Sequence, residues 1–143
     1  MKKIAVLFIL VIITMSAMTQ TSVKPIINLQ NKDIVGRWIE TEKIMADNPA
    51  RDNTPAIFVF KEDSTYHKGA EIDDMIIFAI AGRYTVKNDS IYVTYFDFSG
   101  RHTGSQRQQK MWMKILSYST DEMRVMIRES RYNKYEATLR RQN

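Results

Sequence analysis

The feature that most restricts how this chain can fold is two-residue alternation, repeated in run after run. Ile76, Phe78, Ile80, Gly82, Tyr84 and Val86 occupy one parity, with Ala79, Ala81, Arg83, Thr85 and Lys87 on the other. Ile91, Val93 and Tyr95 repeat the pattern, as do Met123, Val125 and Ile127 against Arg124, Met126 and Arg128. Tyr135, Ala137 and Leu139 alternate with Lys134, Glu136, Thr138 and Arg140. Side chains that change face at every residue belong to strands with one buried side. Turn formers separate the runs: Glu62-Asp63, Asn88-Asp89, Ser119-Thr120-Asp121 and Ser130-Arg131-Tyr132-Asn133.

Composition points the same way once the first nineteen residues are set aside. Three leucines remain (Leu29, Leu116, Leu139) against thirteen isoleucines and fourteen aromatics, the balance of strands rather than helices. Strands are expected over 34–43, 56–61, 64–69, 75–87, 90–96, 107–118, 122–129 and 133–142. Short sequential connections force antiparallel neighbours. The fold class is therefore all-β, an eight-stranded antiparallel up-and-down barrel of a size that holds side chains or one small ligand. Connection lengths add an asymmetry. Residues 44–55, 70–74 and 97–106 are the longest connections and all fall at one end, whereas 62–63, 88–89 and 119–121 are tight turns at the other. The expected shape is a cup with a wide mouth and a pinched base.

The excluded leader has its own pattern. Lys2-Lys3 precedes the apolar run Ile4–Ile13, and Ser16-Ala17-Met18-Thr19 comes after it. This reads as a signal peptide over 1–19. A membrane anchor needs about 20 apolar residues, and the run to Met18 is shorter and interrupted by Thr14 and Ser16. The expectation is an exported protein, periplasmic or secreted, with no transmembrane segment once the leader is removed. Residues 20–32 form a lead-in and 33–143 the barrel domain. The absence of cysteine excludes a disulfide scaffold, a thiol nucleophile and a Cys-based zinc site.

The first strand reads Asp33-Ile34-Val35-Gly36-Arg37-Trp38-Ile39-Glu40. Gly-x-Trp opening an eight-stranded meander resembles the lipocalin and wider calycin signature. The hairpin Ile57–Tyr66 and the stretch Gly82–Val93 look like the short bacterial lipocalin-like proteins. The resemblance spans roughly residues 33–142. It implies a basic residue on the last strand packed over the tryptophan. Strand parity puts Arg141 on the face of Tyr135, Ala137 and Leu139, at the base beside Trp38. Gly36, Trp38 and Arg141 are thus the expected closure of the barrel, a guanidinium on an indole being worth about 0.5–2 kcal/mol. The C-terminal helix of larger lipocalins is not expected here, and their receptor roles are not implied.

By parity and strand direction, the inward residues near the mouth are Glu40, Phe58, Tyr66, Phe78, Tyr95, Met111, Ile127 and Tyr135. An aromatic wall with a few polar groups is what a small-molecule site looks like, and the same side chains could instead simply fill a small barrel. Faces in 107–118 are ambiguous, since Met111, Met113 and Ile115 compete with Trp112 and Leu116.

Other chemistry finds little support. His67 and His102 are the two histidines, too few for a multi-histidine centre, and neither metal nor cofactor is expected. Glu71, Asp73 and Asp74 read as a solvated turn. Glu40 and Glu42 share a face at i, i+2 without a third group for acid–base work. Asn88-Asp89-Ser90 matches a glycosylation sequon and reads better as a hairpin turn. Arg124, Arg128, Arg131, Lys134, Arg140 and Arg141 come late and alternate as solvated faces do, so nucleic acid is not an expected partner. The functional expectation is a monomeric, non-catalytic barrel that binds a small apolar or amphipathic molecule through its open end. The alternative is an envelope module with a filled barrel that presents loops 44–55 and 97–106 to a protein or glycan.

Overall fold

The structure, a computed structural model, describes residues 28–45, 54–98 and 107–143. A short helix, α1 (Asn31–Ile34), precedes eight strands: β1 (Gly36–Met45), β2 (Ala56–Phe60), β3 (Thr65–Ile72), β4 (Met75–Lys87), β5 (Ser90–Asp97), β6 (Gln109–Tyr118), β7 (Glu122–Arg128) and β8 (Lys134–Gln142). Each strand pairs antiparallel with its sequence neighbour, and β1 pairs with β8, so the sheet closes into a barrel in the order β1 to β8. Closure leaves no unpaired edge for another chain to extend. The all-β up-and-down barrel expected from alternation is the observed architecture. No helix among the described residues is long and apolar enough to cross a membrane.

The signal-peptide segment, His102 and most of both long connections (46–53 and 99–106) lie outside the described residues. Most strand ends shift by one or two residues from expectation, and two of the differences matter to the architecture. The first strand starts at Gly36 rather than 34, because α1 takes Asn31–Ile34. Residues 70–74 are not a long loop: β3 and β4 continue until Ile72 pairs with Met75. Asp73 and Asp74 turn between them at φ 50° and 60°, the left-handed pair that closes a two-residue hairpin. The remaining two long connections still share the end opposite α1.

The base is closed by α1 and by one arginine. The Trp38 indole N–H donates to the Ile34 carbonyl at 2.8 Å, and Tyr118 Oη donates to the Asp33 carbonyl at 2.5 Å. Arg141 donates from Nη1 to the Val35 carbonyl, from Nη2 to the Asp33 carbonyl at 2.8 Å, and from Nε to the Thr120 carbonyl at 2.6 Å. The bonds to Asp33, Ile34 and Val35 satisfy carbonyls at the end of α1 that have no partner within the helix, and the bond to Thr120 ties in the turn before β7. The Arg141 guanidinium carbon lies 4.3 Å from the Trp38 ring centre, and the two residues are paired across the β1–β8 seam. Gly36 makes this possible. Its φ of +138° suits glycine, and a Cβ there would fall 2.7 Å from Arg141 Nη1. On the other side of α1, Asn31 donates to Ser64 Oγ at 3.0 Å and accepts from the Val86 N–H at 2.8 Å.

Three register shifts bend the barrel, between Glu40 and Glu42 on β1, between Lys68 and Gly69 on the β3–β4 pair, and between Ile115 and Ser117 on β6. Each adds one residue to a strand and inverts the parity of the residues beyond it. Inside, Trp38, Phe58, Phe60, Tyr66, Ile127 and Leu139 belong to one continuous buried core. Phe60 packs tilted on Tyr66 at 5.3 Å and edge-on to Tyr84 at 5.1 Å, geometries that add about 0.5–1.5 kcal/mol each beyond area burial. On β6, Met111, Met113 and Ile115 face inward, which resolves the ambiguity there.

Arg141→Ala is expected to destabilise the protein by about 3 kcal/mol, since hydrogen bonds from a charged donor and the indole contact are lost together. Thermal unfolding followed by circular dichroism should show the midpoint fall by roughly 10 °C. Arg141→Lys should recover only a minor part, because an ammonium cannot reproduce the planar fork. An unchanged midpoint in the alanine variant would mean that closure does not depend on this side chain.

Candidate functional site

Seven of the eight pocket residues expected from parity line the interior: Glu40, Phe58, Tyr66, Tyr95, Met111, Ile127 and Tyr135 are all buried. Phe78 is a correction. It is 44% exposed and stands on the outer face, its ring 5.6 Å from that of His67. Ala79 is the cause: β3 pairs Lys68 with Ile80 and then Gly69 with Phe78, skipping Ala79. The strands touch closely there, and a Cβ on Gly69 would lie 2.1 Å from the Ile77 carbonyl oxygen. Parity beyond the bulge is inverted, so Phe78 joins His67 outside.

The β1 bulge corrects a second expectation. Glu40 and Glu42 do not share a face, because the shift at Thr41 separates them. Glu40 points inward, while exposed Glu42 accepts a bond from Thr138 Oγ1 at 3.2 Å. The same shift turns Lys43 toward the interior side. Its ammonium lies 4.6 Å from the Tyr135 ring centre and 3.9 Å from the Glu40 carboxylate.

The centre of the site is an ion pair that lies one step beyond the residues parity selects. Lys68 on β3 binds the carboxylate of Glu129, the residue immediately after β7. Both side chains are largely buried, at 16% and 23% exposure. The Lys68 ammonium also lies 5.4 Å from the Phe58 ring centre and donates to Tyr135 Oη at 3.5 Å. Tyr135 Oη donates to Glu129 at 3.4 Å, and Asn133 Nδ2 donates to the other Glu129 oxygen. The signal for both residues is in the sequence. Tyr66 continued by two residues gives Lys68, and Ile127 continued by two gives Glu129.

Around this pair the polar groups are incompletely satisfied. Glu40 Oε2 and Tyr66 Oη are buried and without a hydrogen-bond partner. Burial raises the Glu40 pKa above the ordinary glutamate range; Lys43 and Lys68 pull it down and Glu129 pushes it further up. Tyr66 is fully buried, which raises its pKa well above the ordinary value, with Tyr135, Glu129 and Tyr95 adding to the effect. It therefore remains a neutral hydroxyl, able to donate or accept. Tyr95, whose pKa burial also raises, donates to Gln109 Oε1 at 3.2 Å. The arrangement is a patch of two carboxylates, two ammonium groups and three tyrosine hydroxyls, set against an aromatic and methionine wall. It can bind a polar group by hydrogen bonds and charge while the wall takes up an apolar body.

Among the described residues no group of three or more histidine or acidic side chains is placed to hold a metal. Glu71, Asp73 and Asp74 lie exposed at the β3–β4 turn, and Asn88-Asp89-Ser90 forms the β4–β5 turn. No known protein family matches the chain, and neither does any curated protein.

Glu40 gives a test that depends on pH. Its folded pKa is raised, so it favours the folded state fully below the unfolded glutamate pKa and loses that contribution as pH rises through the folded value. Glu40→Gln removes this dependence. Denaturant melts should show the variant more stable than the parent near neutral pH, with the difference closing as pH falls below the ordinary glutamate range. A difference that widens toward acid would mean Glu40 is held ionised.

Proposed function

We propose that this protein is an exported, non-catalytic, lipocalin-like barrel that holds a small amphipathic molecule in the half of the barrel away from α1. The observation that carries the reading is the unsatisfied polar patch, Glu40 Oε2 and Tyr66 Oη beside the Lys68–Glu129 pair. Burying ions costs several kcal/mol each before pairing offsets it, and well-packed apolar side chains are usually a neutral or better substitute. A buried polar group left without a partner costs about 1–3 kcal/mol more. A barrel filled only for stability has no use for such groups, whereas a ligand with a polar head and an apolar body would pair them and cover the aromatic wall. Lipocalin-like membership is supported by the closed up-and-down barrel together with Gly36, Trp38 and Arg141 at its seam.

Native mass spectrometry of protein purified from its own host should reveal a co-purifying small molecule. Lys68→Met should strip it, and Tyr66→Phe, which removes only a hydroxyl, should lower its occupancy. Repeated preparations of the parent that carry no added mass would refute the carrier reading.

A further inference from the structure

The outer face of β5, β6 and β7 carries a second recess that the interior does not explain. Its volume is about 490 Å³, within the range of pockets that hold small ligands. Tyr92 pairs with Trp112, Trp112 with Arg128, and Thr94 with Lys110 across the strands. Val93 and Met111 point into the core, so these neighbours point out. The two rings form the floor, with Tyr92 47% exposed. Lys110, Arg128 and Arg131 stand around them, and Lys134 pairs with Arg128 at the next strand.

Part of the exterior charge is paired, and the cationic charge around this recess is not. Elsewhere, Lys114 pairs with Asp89, Arg124 with Glu136 and Arg140 with Glu122. Among the described residues, Lys110, Arg128, Arg131 and Lys134 form no ion pair. Glu129 is the one carboxylate lining the recess, and its oxygens are already taken by Lys68, Asn133 and Tyr135. Four uncompensated cations around two aromatic rings make a local positive field over a surface that stacks planar or ring-shaped groups.

We propose that this outer recess binds a short acidic saccharide, with a sugar ring lying on Trp112 and Tyr92 and its carboxylate or sulfate held by Arg128, Arg131 and Lys110. Arginine suits such groups because its fork donates two parallel hydrogen bonds. The recess is of small-ligand size, whereas a nucleic acid strand would need a longer cationic track. Met111 and Glu129 border both this recess and the interior site, and Glu40, which is buried inside and does not line the recess, provides the control.

The test is titration of the purified protein with the trisaccharide of galacturonic acid, read by tryptophan fluorescence and calorimetry. Trp112 borders the recess while Trp38 is buried at the base. Saturable binding is expected, weakened at least tenfold in Arg128→Gln and in Lys110→Gln, both exposed positions. Trp112→Phe should keep most of the affinity and lose the fluorescence change, and Glu40→Gln should bind like the parent. The fully methyl-esterified trisaccharide, with the same rings and no charge, should bind at least tenfold more weakly. Equal binding of the ester, tighter binding of a thymidine trinucleotide, or full affinity in both cation variants would each overturn the proposal.

Discussion

The barrel depends on one guanidinium. Arg141 bonds to carbonyls of Asp33, Val35 and Thr120 and covers the face of Trp38. It thereby joins three things that would otherwise be separate: the β1–β8 seam, the turn before β7, and the helix that stops the base. With no cysteine in the chain, this cluster does what a covalent bridge does in other small all-β domains. It does so with hydrogen bonds from a charged donor, the stronger kind. Gly36 belongs to the same arrangement, since any side chain there would displace the arginine.

Away from the base the interior changes character. Trp38, Phe60, Ile34 and Leu139 make a core of ordinary packing, while Glu40, Tyr66, Lys68, Glu129 and Tyr135 introduce charge and hydroxyls into the same enclosure. The two regions answer to different demands. Packing sets stability near α1. Further along, the sequence retains groups that folding alone does not favour, and that division is the basis for placing a ligand there.

Alternation makes the strands legible, because a half-buried strand must change face at each residue. Ile91, Val93, Tyr95 and Met123, Val125, Ile127 belong to the interior by that rule alone, and they are there. The residues at Thr41, Ala79 and Leu116 are not legible as bulges. Nothing in their chemistry distinguishes an extra residue from a regular one, yet each inverts the faces beyond it. Parity misplaces Phe78 for this reason, and it passes over Lys43. Parity does place Lys68 and Glu129 inside, two residues on from Tyr66 and Ile127, but a charged side chain at an inward position is costly alone, so only its partner across the barrel makes it reasonable. That pairing is between β3 and the end of β7, and no local pattern reveals it.

The seam also fixes when the fold can be completed. Trp38 and Arg141 meet across β1 and β8, the first and last of the eight described strands. Until β8 is available, β1 and β7 both present bare hydrogen-bonding edges and the base has no arginine to hold it. Ring closure is the pairing with the greatest sequence separation, of the kind that slows folding. While β8 is unpaired the other strands form an open sheet, and its two bare edges are templates on which another chain can pair.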